Sequence, residues 1–350
     1  MAYAVILAGG WGERLWPMST NDRPKQLLSL RGGETLVGET LARIAPVAPP
    51  ERALVMTGAS LREKMAGELG RVPRERIIGE PVGKNTAPAI AVAAKILVAE
   101  DPDAVMIVLP ADHIIEDADA FRECLGLAVR AASEKGALVT LGIEPVRAET
   151  EYGYIRAGAA AGIDGVFEVD SFREKPDAET ARSYVEAGGY YWNSGMFIWR
   201  ADRFLEETEA NLPDVGRALG ALTSAPGDPG FEKELAEFYG AVESVSVDYG
   251  IMEKAGNVLV IPSTFGWDDI GAWPALSRVW PSEADGNTVR GDVILIDSDG
   301  CIAYSEQGTV AVLGMSDVVV VRTPEATLVC PRGRARDVRK IVDRLKKREK

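Results

Sequence analysis

Histidine is almost absent: His113 is the sole imidazole in 350 residues, which nearly excludes histidine-based triads and multi-histidine metal sites. Cysteine is nearly as scarce. Cys124, Cys301 and Cys330 lie far apart with no CxxC pair, which excludes a disulfide framework and a thiolate zinc site and leaves buried free thiols as the expectation. Basic charge is in deficit, with 39 Lys and Arg against 53 Asp and Glu and a net charge of −14. A general nucleic-acid surface needs a basic face to displace counterions, so none is expected, and an anionic ligand must meet a local cluster of cations. No apolar run reaches the roughly 18 to 20 residues of a membrane span, and MAYAVILAGG has no basic stretch ahead of its apolar one. The expectation is a cytoplasmic protein with no membrane partner, whose chemistry rests on carboxylates, lysine, arginine and, for any metal, oxygen ligands.

Through residue 145 short apolar runs alternate with helical patterns. AYAVILAG (2–9), RALVMTG (52–58), RIIGEP (76–81), AVMIVLPAD (104–112) and ALVTLGI (137–143) read as buried strands, with helices between them. This cadence predicts an α/β fold with a mostly parallel mixed sheet flanked by helices. YYWNSGMFIWR (190–200) returns as an apolar strand in which Trp192 and Phe197 belong to the core, and helices follow it to about residue 240. From about 285 short strands separated by D-G, G-M-S-D and T-P turns predict a small β module. The tail, ARDVRKIVDRLKKREK, predicts a basic amphipathic helix packed through Val338, Ile341, Val342 and Leu345. The domain expectation is a catalytic domain over 1–284 and the β module with its terminal helix over 285–350.

In open α/β sheets ligands sit at the carboxyl ends of strands, so the residues just after strands carry the interest. The first such stretch is GGWGERLWPMSTNDRPKQ. A dinucleotide fingerprint needs a third glycine where Leu15 stands, and a P-loop needs a Gly-Lys-Ser/Thr ending that is missing. Pro17 and Pro24 also bar an immediate long helix. What remains is a long loop in which Gly9, Gly10 and Gly12 let backbone amides approach a ligand while Arg14, Arg23 and Lys25 supply cations, a nest suited to a diphosphate or triphosphate. VLPADHII places Asp112 at a strand end, where it serves either as a turn or cap or as a ligand group. FGWDDIGAW offers Asp268 and Asp269 after another strand. Carboxylates from two such segments meeting in one cleft suit Mg²⁺, which takes one or two carboxylates beside phosphate oxygens and water. FREKPD gives Glu174 and Lys175, YYWNSGMF gives Asn193, and GEPVGKNTAPAI puts Asn85 and Thr86 where a helix cap is needed.

Taken in order, AVILAGGWGERLWPMSTNDRPKQ, GEPVGKNTAPAI, VLPADHII, EYGYI, FREKP, WNSGMF, SVDYGIMEK and GWDDIGAW resemble the mannose-1-phosphate guanylyltransferases, or GDP-mannose pyrophosphorylases, over about residues 3–275. The resemblance implies that GMP passes from GTP to mannose 1-phosphate, giving GDP-mannose and pyrophosphate, with Mg²⁺ as cofactor. It also implies a glycosyltransferase-A-like nucleotide-binding fold and a homodimer. On this basis Arg14 and Lys25 are catalytic, and Leu7, Gly9, Gly10, Gly12, Asn85 and Asp112 bind nucleotide. Gly153, Glu174, Lys175 and Asn193, with Glu253 nearby in sequence motif, bind the sugar phosphate, and Asp112 and Asp269 hold the metal. Glu151 stands where the family's sugar loop usually has its first glycine, and the fused isomerase domain of longer relatives has no counterpart before Lys350. The alternatives are the same reaction with another sugar 1-phosphate or nucleotide, and a non-catalytic GDP-mannose-binding regulator.

Overall fold

The apolar run at the start forms β1 (Ala2–Ala8), buried along most of its length. The computed structural model describes residues 1–348. After β1 come α1 (Leu36–Ile44), β2 (Ala53–Gly58), α2 (Arg62–Glu68), β3 (Ile77–Glu80), α3 (Thr86–Glu100) and β4 (Val105–Pro110). The two-residue β5 (Ile114–Ile115), α4 (Ala118–Lys135) and β6 (Leu138–Ile143) follow. Next are β7 (Tyr154–Ala160), β8 (Phe167–Arg173), α5 (Ala178–Ala187), β9 (Tyr190–Arg200), α6 (Ala201–Asn211), α7 (Pro213–Leu219) and α8 (Phe231–Ala241). The chain continues with β10 (Val258–Ser263), β11 (Trp267–Asp268), β12 (Thr288–Arg290), β13 (Val293–Ile296), β14 (Ile302–Ser305), β15 (Val310–Leu313), β16 (Val318–Arg322) and β17 (Thr327–Pro331). It closes with α9 (Val338–Arg348). Among these described residues no helix is long and apolar enough to cross a membrane.

The chain divides into two compact units. The first comprises Met1–Gly9, Thr40–Ala111 and Ile115–Trp267. It holds a nine-stranded sheet in the order β3-β2-β1-β4-β9-β6-β10-β8-β7. β1 pairs in parallel with β2 and β4, β2 with β3, and β6 with β10, whereas β9 is antiparallel to β4 and β6, and β8 to β10 and β7. Carried through these pairings, only β8 and β9 of the nine run against the rest, which is the mostly parallel mixed sheet expected. Helix α3 is apolar nearly all round and buried, as its composition requires. Asp117 caps α4 by accepting from the amides of Asp119 and Ala120, and Gly136 ends that helix in the left-handed conformation. Trp192 and Phe197 are buried as expected, and Trp199 stacks on Phe197 and Phe204 at ring separations of 5.2 and 4.7 Å.

The second unit comprises Gly10–Glu39, Asp112–Ile114 and the chain from Asp268 on. Here β12, β14 and β16 stack in parallel, as do β13 and β15, so the short strands form successive coils, and β17 closes against β16 as an antiparallel hairpin. The expected division at 284/285 divides the chain by sequence, whereas packing places the opening loop with the C-terminal strands. Leu15, Met18, Leu28 and Leu30 of the opening loop share one core with Trp273, Trp280, Ile302, Val319 and Val338. Two indole N–H groups tie the parts together: Trp273 donates to the Trp16 carbonyl at 3.1 Å and Trp280 to that of Leu30 at 2.8 Å. Burial, not sequence order, sets the unit.

Helix α9 packs through Val338 and Val342, with Leu345 half-buried, but Ile341 is 38 % exposed and lies outside that stripe. The expected helix begins as a 3-10 turn, Arg332–Asp337, and its final residues, Glu349 and Lys350, lie outside the described residues. The three cysteines are free thiols; Cys301 is buried as expected, while Cys124, beside Ser263, and Cys330, at the margin of its core, are only half-buried.

Candidate active site

Gly12 and Lys25 explain each other. Gly12 has φ +75°, and a Cβ there would come within 2.6 Å of the Lys25 Cβ, so a side chain would be both strained and obstructed. With that space open, the chain folds back: the Lys25 amide donates to the Trp11 carbonyl at 3.1 Å, Gln26 Nε2 to that of Gly10 at 3.0 Å, and Ser19 Oγ to that of Gly12 at 2.6 Å. The two prolines that bar a long helix leave only 3-10 turns at Glu13–Leu15 and Lys25–Leu27, the second opened by Pro24. Lys25, only 7 % exposed, sends its ammonium to Asp112 Oδ2 at 2.6 Å and to the Asp269 carbonyl at 2.5 Å. That carbonyl precedes Ile270, a buried β-branched residue at φ +45°, a strained conformation held by the amide of Ile270 donating to Asp268 Oδ1 at 2.8 Å. Asp268 also binds Arg278, so of the two adjacent aspartates Asp268 shapes the turn and Asp269 faces the cavity.

The cavity measures about 370 Å³, and its walls include Gly10, Gly12, Arg14, Lys25, Asp112 and Asp269. Burial pushes the Asp112 carboxyl up, but the Lys25 ammonium, His113 and hydrogen bonding outweigh it and hold it below the usual carboxylate range. His113 lies in the same cavity with Nε2 4.0 Å from Asp112 Oδ1; burial drives its pKa down despite the surrounding aspartates, so it is neutral at pH 7. Arg23, the loop's other expected cation, is committed elsewhere, to Glu306 at 2.6 Å. Three carboxylate residues line the cavity, Glu13, Asp112 and Asp269, and the last two are the expected metal pair. Among the described residues no three His, Cys, Asp or Glu side chains converge into a metal cage. Two carboxylates completed by phosphate oxygens and water are nevertheless what Mg²⁺ takes, and Asp112 and Asp269 fit it.

In the first unit a second polar cluster forms around Glu174. A Cβ on Gly153 would lie 2.3 Å from Glu174 Oε2, so that glycine is the space in which the carboxylate sits. Glu174 Oε1 is 2.9 Å from Lys175 Nζ, and the Glu174 amide donates to Glu253 Oε1 at 2.9 Å, but its buried Oε2 has no partner. Asn193 donates through Nδ2 to Asp248 Oδ1 at 2.7 Å and accepts from the Gly195 amide at 3.0 Å. Burial raises the pKa of Glu174, and the charge of nearby Asp248 raises it further against the pull of Lys175; burial raises that of Asp248 as well. An unsatisfied buried acceptor flanked by a half-exposed lysine is suited to a polyhydroxylated anion. Asp248 was not singled out in sequence, although it lies in SVDYGIMEK; its π-helical turn, Asp248–Met252, has no sequence signature.

Leu7 lies near the end of β1 and Gly9 just beyond it, one residue past the strand's end at Ala8, and Asn85 caps α3 by accepting from the Thr86 amide at 2.9 Å. Sequence reasoning missed Glu80, inside the GEP stretch. It is buried at the end of β3, accepts from the Tyr239 hydroxyl at 2.8 Å, and its Oε2 would stand 3.7 Å from a Cβ on Gly9. Burial pushes its carboxyl up to about 7.

The nucleotidyl transferase family matches residues 3–285, and a mannose phosphate isomerase/GMP-like β-helix domain matches residues 291–345. The chain belongs to the nucleotidyl transferase family. It is 43% identical to the alginate biosynthesis protein AlgA of Pseudomonas aeruginosa, over 97% of this chain and 71% of that protein. It is 42% identical to a mannose-1-phosphate guanylyltransferase of Escherichia coli, over 98% of this chain and 73% of that one. A crystal structure from Thermus thermophilus, described as a mannose-1-phosphate geranyltransferase, superposes with a TM-score of 0.89 at 39% identity and covers 99% of both chains.

Glu80 yields a prediction about stability. Its carboxyl holds its proton up to about pH 7 in the fold but only to about 4.5 in the unfolded chain. Ionising it therefore costs stability progressively between those values, and the full cost stands above pH 7. Glu80→Gln, which keeps an acceptor for Tyr239, should stabilise the protein at pH 8 by up to about 3 kcal/mol, with the gain shrinking as the pH falls toward 5. Urea unfolding at the two pH values checks it, and a gain independent of pH would contradict the assignment.

Proposed function

We propose that the chain transfers GMP from GTP to α-D-mannose 1-phosphate, giving GDP-mannose and pyrophosphate. The observation that carries this reading is the cavity in which the glycine loop, Arg14, Lys25, Asp112 and Asp269 come together. Family membership and the names of the relatives support the same reaction.

The sugar phosphate is mostly dianionic at pH 7, since the second pKa of a phosphomonoester is about 6, so its oxygen attacks the α-phosphorus of GTP without a general base. The new O–P bond forms as the bond from the α-phosphorus to the bridging oxygen breaks, and pyrophosphate leaves with the electron pair. The obstacle is repulsion and misalignment between two anions. Lys25 and Arg14 counter it by offering fixed positive charge to the phosphates, and the amides of Gly10 and Gly12 supply further donors. Asp112 and Asp269 would hold Mg²⁺, which when bound there neutralises phosphate charge. In the free protein Lys25 compensates Asp112, so the cavity keeps its carboxylate ionised without a cation from solution.

For the sugar, the unpartnered Glu174 Oε2 accepts from a hydroxyl, Asn193 and Asp248 complete the polar wall, and the half-exposed Lys175 supplies charge to the sugar's phosphate. For the base, an ionised carboxylate is an acceptor-only group, and guanine alone among the common bases presents a ring N–H and an amino group side by side as donors; Glu80, once ionised above about pH 7, is the complement to that edge.

Pyrophosphate release across four nucleoside triphosphates and three sugar 1-phosphates with Mg²⁺ tests the reading. GTP with mannose 1-phosphate should dominate, and Glu80→Gln should narrow the advantage of GTP; no release with any pair, alongside tight GDP-mannose binding, would replace the enzyme with a regulator. Lys25→Ala should lower turnover at least about a hundredfold, the scale of one lost electrostatic stabiliser, and near-normal turnover would remove Lys25 from the mechanism. Asp269→Asn should shift the Mg²⁺ titration to higher concentration, and an unchanged curve would sink the metal assignment.

A further inference from the structure

The loop that walls the cavity carries a charge of the wrong sign. Glu13 sits between Gly12 and Arg14, and its carboxylate repels the polyphosphate that the neighbouring groups attract. Helix α9 answers that charge. Arg339 Nε lies 3.1 Å from Glu13 Oε2 and Lys346 Nζ lies 2.5 Å from Glu13 Oε1, so each carboxylate oxygen is held by its own cation. Lys346 Nζ also stands 5.5 Å from the centre of the Trp11 ring. Arg339 and Lys346, two helical turns apart, share a face beside the Val338 and Val342 stripe that buries α9 in the core of its unit. Arg339 itself reaches the cavity wall.

A structural explanation accounts poorly for this clamp. The Arg339 and Lys346 side chains are 70 and 43 % exposed, and ion pairs that exposed contribute little to stability. Their electrostatic effect on the loop is larger: one negative charge facing the cavity becomes a cluster of net +1.

We propose that α9 is part of the nucleotide-phosphate site, with Arg339 and Lys346 as positioning residues that neutralise and anchor Glu13 so that the loop presents positive charge to a polyphosphate. This rests on the nucleotide-binding role proposed above for the loop. It also assigns a task to a basic tail helix that the reaction itself leaves unused.

The test is the binding of inorganic pyrophosphate and of GTP by calorimetry, with GDP-mannose formation measured in parallel. Arg339→Gln/Lys346→Gln should weaken pyrophosphate and GTP binding about tenfold at low ionic strength, the effect of one uncompensated charge near the ligand, and less at about 0.5 M salt. KM for GTP should rise more than kcat falls. Adding Glu13→Gln to that variant should bring affinity back to within about threefold of wild type, a rescue that a merely structural helix contact would not give. Unchanged affinity in the double variant, or a loss that persists with Glu13→Gln, would overturn the proposal. Failure of the wild type to form GDP-mannose would count against the proposed reaction alone, because the pyrophosphate titrations decide the role of α9 on their own.

Discussion

The buried ammonium of Lys25, held between the Asp112 carboxylate and the Asp269 carbonyl, is the contact on which the second unit's cavity depends. It joins three stretches remote in sequence. Each partner is costly alone: an unpaired buried lysine or carboxylate would shift its pKa and lose its charge, and the strained Ile270 would have nothing to present. Gly12 is the precondition, because any side chain there would collide with Lys25. The same groups that make the structure self-consistent are those that a phosphate ligand would use, which is why one lysine can be both a packing element and a functional one.

Much of this was legible in the sequence because it follows from local rules. The apolar runs gave the strands, the cap at Asn85 gave a helix start, and the failed glycine fingerprint with its two prolines correctly described a loop. That Gly12 makes room for Lys25 in particular could not be read, since it depends on a chain reversal over thirteen residues. Nor could the division into units. The loop's Leu15, Met18, Leu28 and Leu30 carry no label saying that their core lies with Trp273, Trp280 and the coils more than two hundred residues on.

Glu80, Asp248 and the Glu13 clamp escaped for a related reason. A carboxylate's role is set by what surrounds it: Glu80 is raised to about 7 by burial, while Asp112 is lowered by its lysine. Sequence shows the same residue type in both cases. Glu174 Oε2, buried and unsatisfied, is one place where the fold departs from its own packing rules, and it belongs to a group proposed to bind substrate.

A double-mutant cycle on Lys25 and Asp112 measures the central contact directly, using urea unfolding at pH 7 of Lys25→Met, Asp112→Asn and the pair. Lys25→Met alone leaves a carboxylate uncompensated and should cost about 2 kcal/mol or more, and adding Asp112→Asn should recover much of that, with a coupling of about 1 to 3 kcal/mol. Single effects that add to within about 0.5 kcal/mol would contradict the account, because Lys25 and Asp112 would then not depend on each other.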